Sequence, residues 1–187
     1  MKIAKIERHI LSVDDFKVCN DGWLSDTFIA WAPERISRAF FALHDVEMIP
    51  GRYCVRESLL ARVGEAPSKT PADLIANGGE RIAADLLRMG NLPLIIENMV
   101  PYYIVRSDDG AQRLVSRFLW RALCTLASVE SWTCAAHPER TLDPIFAHGE
   151  DGTVVGLLMP VAWSESRTVK FVDASEERAA YKPPVET

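Results

Sequence analysis

Nucleophiles, metal ligands and paired carboxylates are the residue types that would carry chemistry in this chain, and their spacing argues against it. The four cysteines, Cys19, Cys54, Cys124 and Cys134, are scattered and form no C-x-x-C pair. Buried reduced thiols are therefore expected rather than a zinc site or a redox couple. His9, His44, His137 and His148 have no i,i+4 partner and no H-E-x-x-H setting. His44 adjoins Asp45, but adjacent residues on a strand face opposite sides and make no dyad. The acidic pairs Asp14-Asp15, Asp108-Asp109 and Glu150-Asp151 could hold a metal for phosphoryl chemistry, yet all three fall at predicted turns. Solvated turn carboxylates explain them better. The chain contains no G-x-x-x-x-G-K-[ST], no G-x-G-x-x-G and no G-x-S-x-G, which removes the simplest phosphate-loop, dinucleotide and hydrolase readings. No catalytic residue, metal or cofactor is expected, and the chain reads as a non-enzyme.

The cations are more suggestive. Arginine outnumbers lysine by 15 to 6, in groups at Arg35 and Arg38, Arg56 and Arg62, Arg81 and Arg88, and Arg113 to Arg121. Arg113, Arg117 and Arg121 stand at i, i+4 and i+8, with Trp120 beside them. Such a stripe could meet a phosphate backbone, and an exposed indole among arginines could stack on a base. These four residues are the candidate DNA contacts. The formal net charge of −5 argues against nucleic-acid binding by the whole surface but not against a local basic face. Ordinary solvated helix faces are the alternative for every arginine group.

Something must position that stripe, and Arg113–Trp163 supplies the clearest set of elements. RLVS reads as a strand; Ser116 can then cap a helix by accepting from a free N–H of its first turn. Phe118, Leu119, Ala122, Leu123 and Leu126 recur at helical spacing as its apolar stripe. VESWTCAA, LDPIFAHG and TVVGLLMPV follow as three strands, the last nearly all apolar and set off by the turn Glu150-Asp151-Gly152.

Strand, helix and three strands, with these particular words, resemble the last half-domain of the bacterial DNA polymerase sliding clamp, the processivity-factor β subunit. The matching residues are Phe118-Leu119-Trp120-Arg121-Ala122-Leu123, Asp143-Pro144-Ile145-Phe146, and Asp151-Gly152 through Leu158-Met159-Pro160-Val161. They span roughly fifty of the 187 residues. The resemblance implies an α+β, DNA-clamp-like fold, an antiparallel sheet with helices on one face, and a role beside duplex DNA or the replication machinery. The chain departs from the family pattern in carrying Ala162-Trp163 after Met-Pro, where clamps end on an Arg. It is also too short for the three domains of a clamp subunit.

The first half is organised similarly. FKVCNDGWLSDTFIAW reads as a hairpin turning at Asn20-Asp21-Gly22, and Pro33 opens a helix with Ile36, Phe40 and Leu43 on its apolar side. RYCVRESLLARV reads as a strand entering a helix. Thr70 can cap a helix begun by Pro71, interrupted at Asn77-Gly78-Gly79 and resumed over ERIAADLLRM. LPLIIE and PYYIVRSD read as strands. The expected organisation is an α+β half over 1–64, a helical insertion over 65–92, a clamp-like half-domain over 93–165 and a flexible polar tail over 166–187.

No apolar run reaches the ~20 residues needed to cross a bilayer, and the start MKIAKIERHILSV lacks a signal-peptide pattern. A cytoplasmic protein without a membrane partner is expected. Two functions fit. One is a non-enzymatic clamp-like protein associated with duplex DNA or the replication machinery, of a kind a mobile element could encode; a chain this short could encircle DNA only as a homo-oligomer, for which the edge strand after Trp163 is one place to join. The other is a protein-interaction or inhibitory scaffold that reuses the fold without DNA, with a replication or mobile-element protein as its partner.

Overall fold

The computed structural model describes residues 15–32, 34–56, 59–86, 94–96, 100–137, 142–162 and 169–170. Among them lie thirteen strands and three helices. In chain order these are β1 Asp15–Val18, β2 Leu24–Ser25, β3 Ile29–Trp31, α1 Glu34–Leu43, β4 Gly51–Arg56, β5 Leu59–Gly64, α2 Pro71–Asn77, β6 Arg81–Leu86, β7 Leu94–Ile96, β8 Val100–Ser107, β9 Gln112–Ser116, α3 Arg117–Leu126, β10 Ser131–Ala135, β11 Ile145–His148, β12 Val154–Leu158 and β13 Val169–Lys170. The fold is α+β and rich in sheet.

Every described pairing is antiparallel, in the order β13-β7-β8-β6-β10-β11-β12-β3-β2-β1-β4-β5, with β9 on the other edge of β8. β6 joins the β7–β8–β9 part of this array to the part that begins at β10. Arg81–Ala83 pair with β10, whereas Ala84–Leu86 pair with β8. Strand, helix and three strands recur as the sequence predicts, since β9 enters α3 and β10, β11 and β12 form a meander. The turns also hold: Gly22 at φ 83° and Gly152 at φ 77° adopt the left-handed geometry that glycine accepts without steric cost.

Alternation along the strands gives the sheet two buried faces. Ile29 and Trp31 of β3, Ile145 and Ala147 of β11 and Leu158 of β12 enter the main core. Phe40 and Phe41 of α1, and Trp120 and Leu123 of α3, pack there too. Within it Phe16 stacks on Tyr53 with centroids 5.4 Å apart, and Phe41 meets Tyr53 edge-on at 5.0 Å. The Tyr53 hydroxyl donates to the Ile49 carbonyl at 2.7 Å, so the ring is satisfied while buried. Ala30, Phe146 and Leu157 point the opposite way into a smaller core with Cys19 and Trp23, against which Ile75 of α2 packs. The helices therefore lie on both faces, not on one.

Three further expectations are corrected. ERIAADLLRM does not resume a helix: Arg81–Leu86 is β6, because both of its edges find backbone partners. Intrinsic helix preference, a few tenths of a kcal/mol per residue, does not outweigh that pairing. RYCVRESLLARV is a hairpin of β4 and β5 rather than a strand and a helix. The apolar stripes of α1 and α3 are rotated from the expected ones. Leu43 and Phe118 are each 60% exposed, while Phe41 and Trp120 are buried. Of the tail expected over 166–187, Val169–Lys170 pair with β7; the rest, with Trp163, His9, Asp14 and Arg88, lies outside the described residues.

Candidate binding cleft

A cleft of about 250 Å³ lies between the β2–β3 turn, the end of β12 and the segment entering α2. Its floor is the smaller-core face of the sheet, with Cys19, Ala30 and Leu157. Its walls carry Phe28, Met159, Pro67, Pro71 and Leu74.

The β2–β3 turn is built by Asp26. Its carboxylate oxygen accepts from the backbone N–H groups of Phe28 at 2.9 Å and Ile29 at 2.8 Å, while its own N–H donates to the Ile29 carbonyl. This closed loop holds Thr27 at φ 85°. A β-branched residue there is strained, by about 1–3 kcal/mol. Two side chains hold the strained residue: the Ser25 hydroxyl accepts from the Thr27 N–H, and the Lys17 ammonium donates to Thr27 Oγ1 at 2.7 Å. The turn leaves Phe28 60% exposed at the lip of the cleft.

The opposite wall is anchored at both ends. Thr70 caps α2 as predicted, accepting from the Asp73 N–H while Asp73 accepts from the Thr70 N–H in a capping box. Those bonds, the backbone one foremost, hold the Asp73 carboxyl below its usual range. Asp21 on the β1–β2 turn accepts from the Ala72 N–H at 3.1 Å, tying that turn to the start of the helix. At the far end the Arg81 guanidinium donates to the Ile75 carbonyl and lies 4.0 Å over the Phe146 ring. Leu74 is left 42% exposed on the cleft side.

The charged side chains lining the cleft are both lysines, Lys17 and Lys69. Cys19 is no nucleophile here. Burial foremost, and the nearby Asp21 carboxylate after it, push its thiol up to about 11, with Lys17 only partly opposing them.

The arginine stripe is not assembled. Arg113 lies on β9 rather than on the helix and is 1% exposed. Its two terminal nitrogens donate to Ser107 Oγ and to the Ala135 carbonyl, each at 3.1 Å, bridging β8 to β10. A phosphate could not reach it. Trp120 is 6% exposed and stacked on Trp132, so its ring is not offered to a base. Arg117, in the first turn of α3, is half-buried and Arg121 is exposed. Of the four candidates only Arg121 stands well out in solvent.

The remaining candidates are structural. Asp15 pairs with Arg52 at 2.6 Å. Asp109 accepts from the Ser107 hydroxyl, and Asp151 from the Thr153 hydroxyl and N–H. These bonds hold both the Asp109 and Asp151 carboxyls low. His148 Nδ1 faces the Gly152 carbonyl at 3.0 Å and must be its donor, leaving Nε2 to accept from the Thr133 hydroxyl at 2.8 Å in the neutral ring. Among the described residues no three His, Cys, Asp or Glu side chains are grouped to hold a metal. No described helix is long and apolar enough to cross a membrane.

The cleft itself was missed in the sequence. Its one local signal is the tetrapeptide Ser25-Asp26-Thr27-Phe28, a turn-forming Ser/Asp pair that delivers an aromatic to its tip. The other wall begins at Pro67 and continues to Leu74, far along the chain. No protein-family model, no curated protein and no solved structure matches this chain.

Proposed function

We propose that this chain is a non-enzymatic protein-interaction scaffold that presents the cleft between the β2–β3 turn and α2 to a segment of its partner. The carrying observation is the pair Phe28 and Leu74, two large apolar side chains left in solvent on facing walls of an apolar cleft. Singly exposed apolar residues are common, but two converging on one concavity mark a recognition site. Association with duplex DNA, the other reading, has less support, because Arg113 and Trp120 are buried and two of its four contacts are lost.

Two measurements test this. Selection of peptides from a random dodecapeptide display library against the whole chain should enrich sequences that a Phe28→Ser, Leu74→Asp variant of wild-type stability no longer holds. Equal retention by the variant sinks the proposal. Light scattering with a short duplex should show no gain in mass at about 50 mM or about 200 mM salt. A gain that fades as salt rises would restore the DNA reading.

A further inference from the structure

The geometry points to an occupant of stated chemistry: a short peptide segment with one or two large apolar side chains beside an acidic residue. This specificity presupposes that the cleft is the recognition surface.

Size separates a peptide from a small ligand. At about 250 Å³ the cleft is below the ~300–1,000 Å³ of sites that enclose cofactors and drug-sized molecules. It suits one or two inserted side chains whose backbone stays outside.

Charge then selects among peptides. The protein is acidic overall, at −5, yet the ionisable side chains lining the cleft with a permanent charge are Lys17 and Lys69. Asp21, Asp26 and Asp73 lie close by, but none of them lines the cleft: Asp73 belongs to the α2 capping box, Asp21 accepts from the Ala72 and Trp23 N–H groups, and Asp26 accepts from the Phe28 and Ile29 N–H groups. A basic lip on an acidic body favours an anionic segment and repels a cationic one.

The lip is also prearranged for it. Lys17 lines the cleft and is held there by its bond to Thr27 Oγ1, and that bond is made to a residue locked at φ 85°. Ordering of Lys17 before binding reduces the side-chain entropy lost when a carboxylate arrives.

The test is the composition of the selected peptides, followed by titration of labelled synthetic versions. Cleft-dependent peptides are expected to carry Asp or Glu next to the apolar pair, and to bind about five- to tenfold tighter than the same peptides with those acids changed to lysine. The preference should shrink with added salt and reverse in the Lys17→Glu, Lys69→Glu variant. Cleft-dependent peptides with no acidic bias, or a preference unmoved by the charge-reversed variant, overturn the acidic specificity and leave the scaffold reading standing. Absence of any peptide whose retention depends on Phe28 and Leu74 overturns both.

Discussion

Trp120 of α3 lies over Trp132 of β10, ring centroids 3.8 Å apart and planes 22° from parallel. The pair joins the helix to the central meander, and both indoles are buried. Truncating either ring removes a large apolar surface and leaves a cavity, a change that typically costs about 3–5 kcal/mol. Trp120→Ala should therefore lower the melting temperature sharply, while Trp120→Phe, which keeps a ring to stack, should lower it much less. A Trp120→Ala variant melting with wild type would place the indole in solvent and return it to the list of DNA contacts.

That pair also shows which parts of the fold can be read in the sequence. Local signals work where the cause is local. Ser116 and Thr70 cap their helices, and the β8–β9 and β11–β12 hairpins turn at Asp109-Gly110 and Asp151-Gly152. They fail where the cause is tertiary. Arg81–Leu86 has a helix-forming composition, but β8 and β10 claim its two edges. The i,i+4 spacing of Arg113 and Arg117 has no meaning across the junction at Ser116, where strand becomes helix. The cleft was illegible for the same reason, since Phe28 and Leu74 line one cleft only once β3 is paired with β12 and α2 is docked on Asp21.

Arg113 tests how a buried cation is tolerated. Its donors satisfy Ser107 Oγ and the Ala135 carbonyl, linking the β8–β9 hairpin to β10. Arg113→Ala removes both of these bonds and opens a void, with an expected loss of about 3 kcal/mol or more. Arg113→Met refills the space without the hydrogen bonds and should cost less. Urea unfolding of the two variants checks the order; equal and negligible losses would show that the guanidinium is not buried.

Acid stability should register the α2 capping box. The Asp73 pKa is lowered in the folded state by its bonds from the Thr70 backbone and side chain. Because the folded value lies below the unfolded one, the contribution is complete above about pH 4 and disappears as pH falls through the folded value. Asp73→Asn keeps an acceptor for the Thr70 N–H but removes the charge. Its deficit in melting temperature relative to wild type should be constant near neutrality and shrink toward zero in acid. A deficit that persists unchanged in acid would assign the effect to geometry instead of charge.

Thr27 couples stability to recognition, and the two should move in opposite directions on one substitution. Thr27 sits at φ 85°, a conformation open to glycine but costly for a β-branched side chain. Thr27→Gly releases that strain, and also frees Lys17 by removing its Oγ1 partner. Glycine gains entropy in the unfolded chain, which offsets part of the relief, so a net stabilisation of up to about 1 kcal/mol is expected. The freed ammonium is no longer held at the cleft, so acid-bearing peptides should bind more weakly to the more stable protein. Differential scanning calorimetry and peptide titration on the same variant read both effects. Thr27→Ser, which keeps the hydroxyl, should hold its affinity, and a loss of affinity in Thr27→Ser equal to that in Thr27→Gly would show that Lys17 is not positioned through this bond.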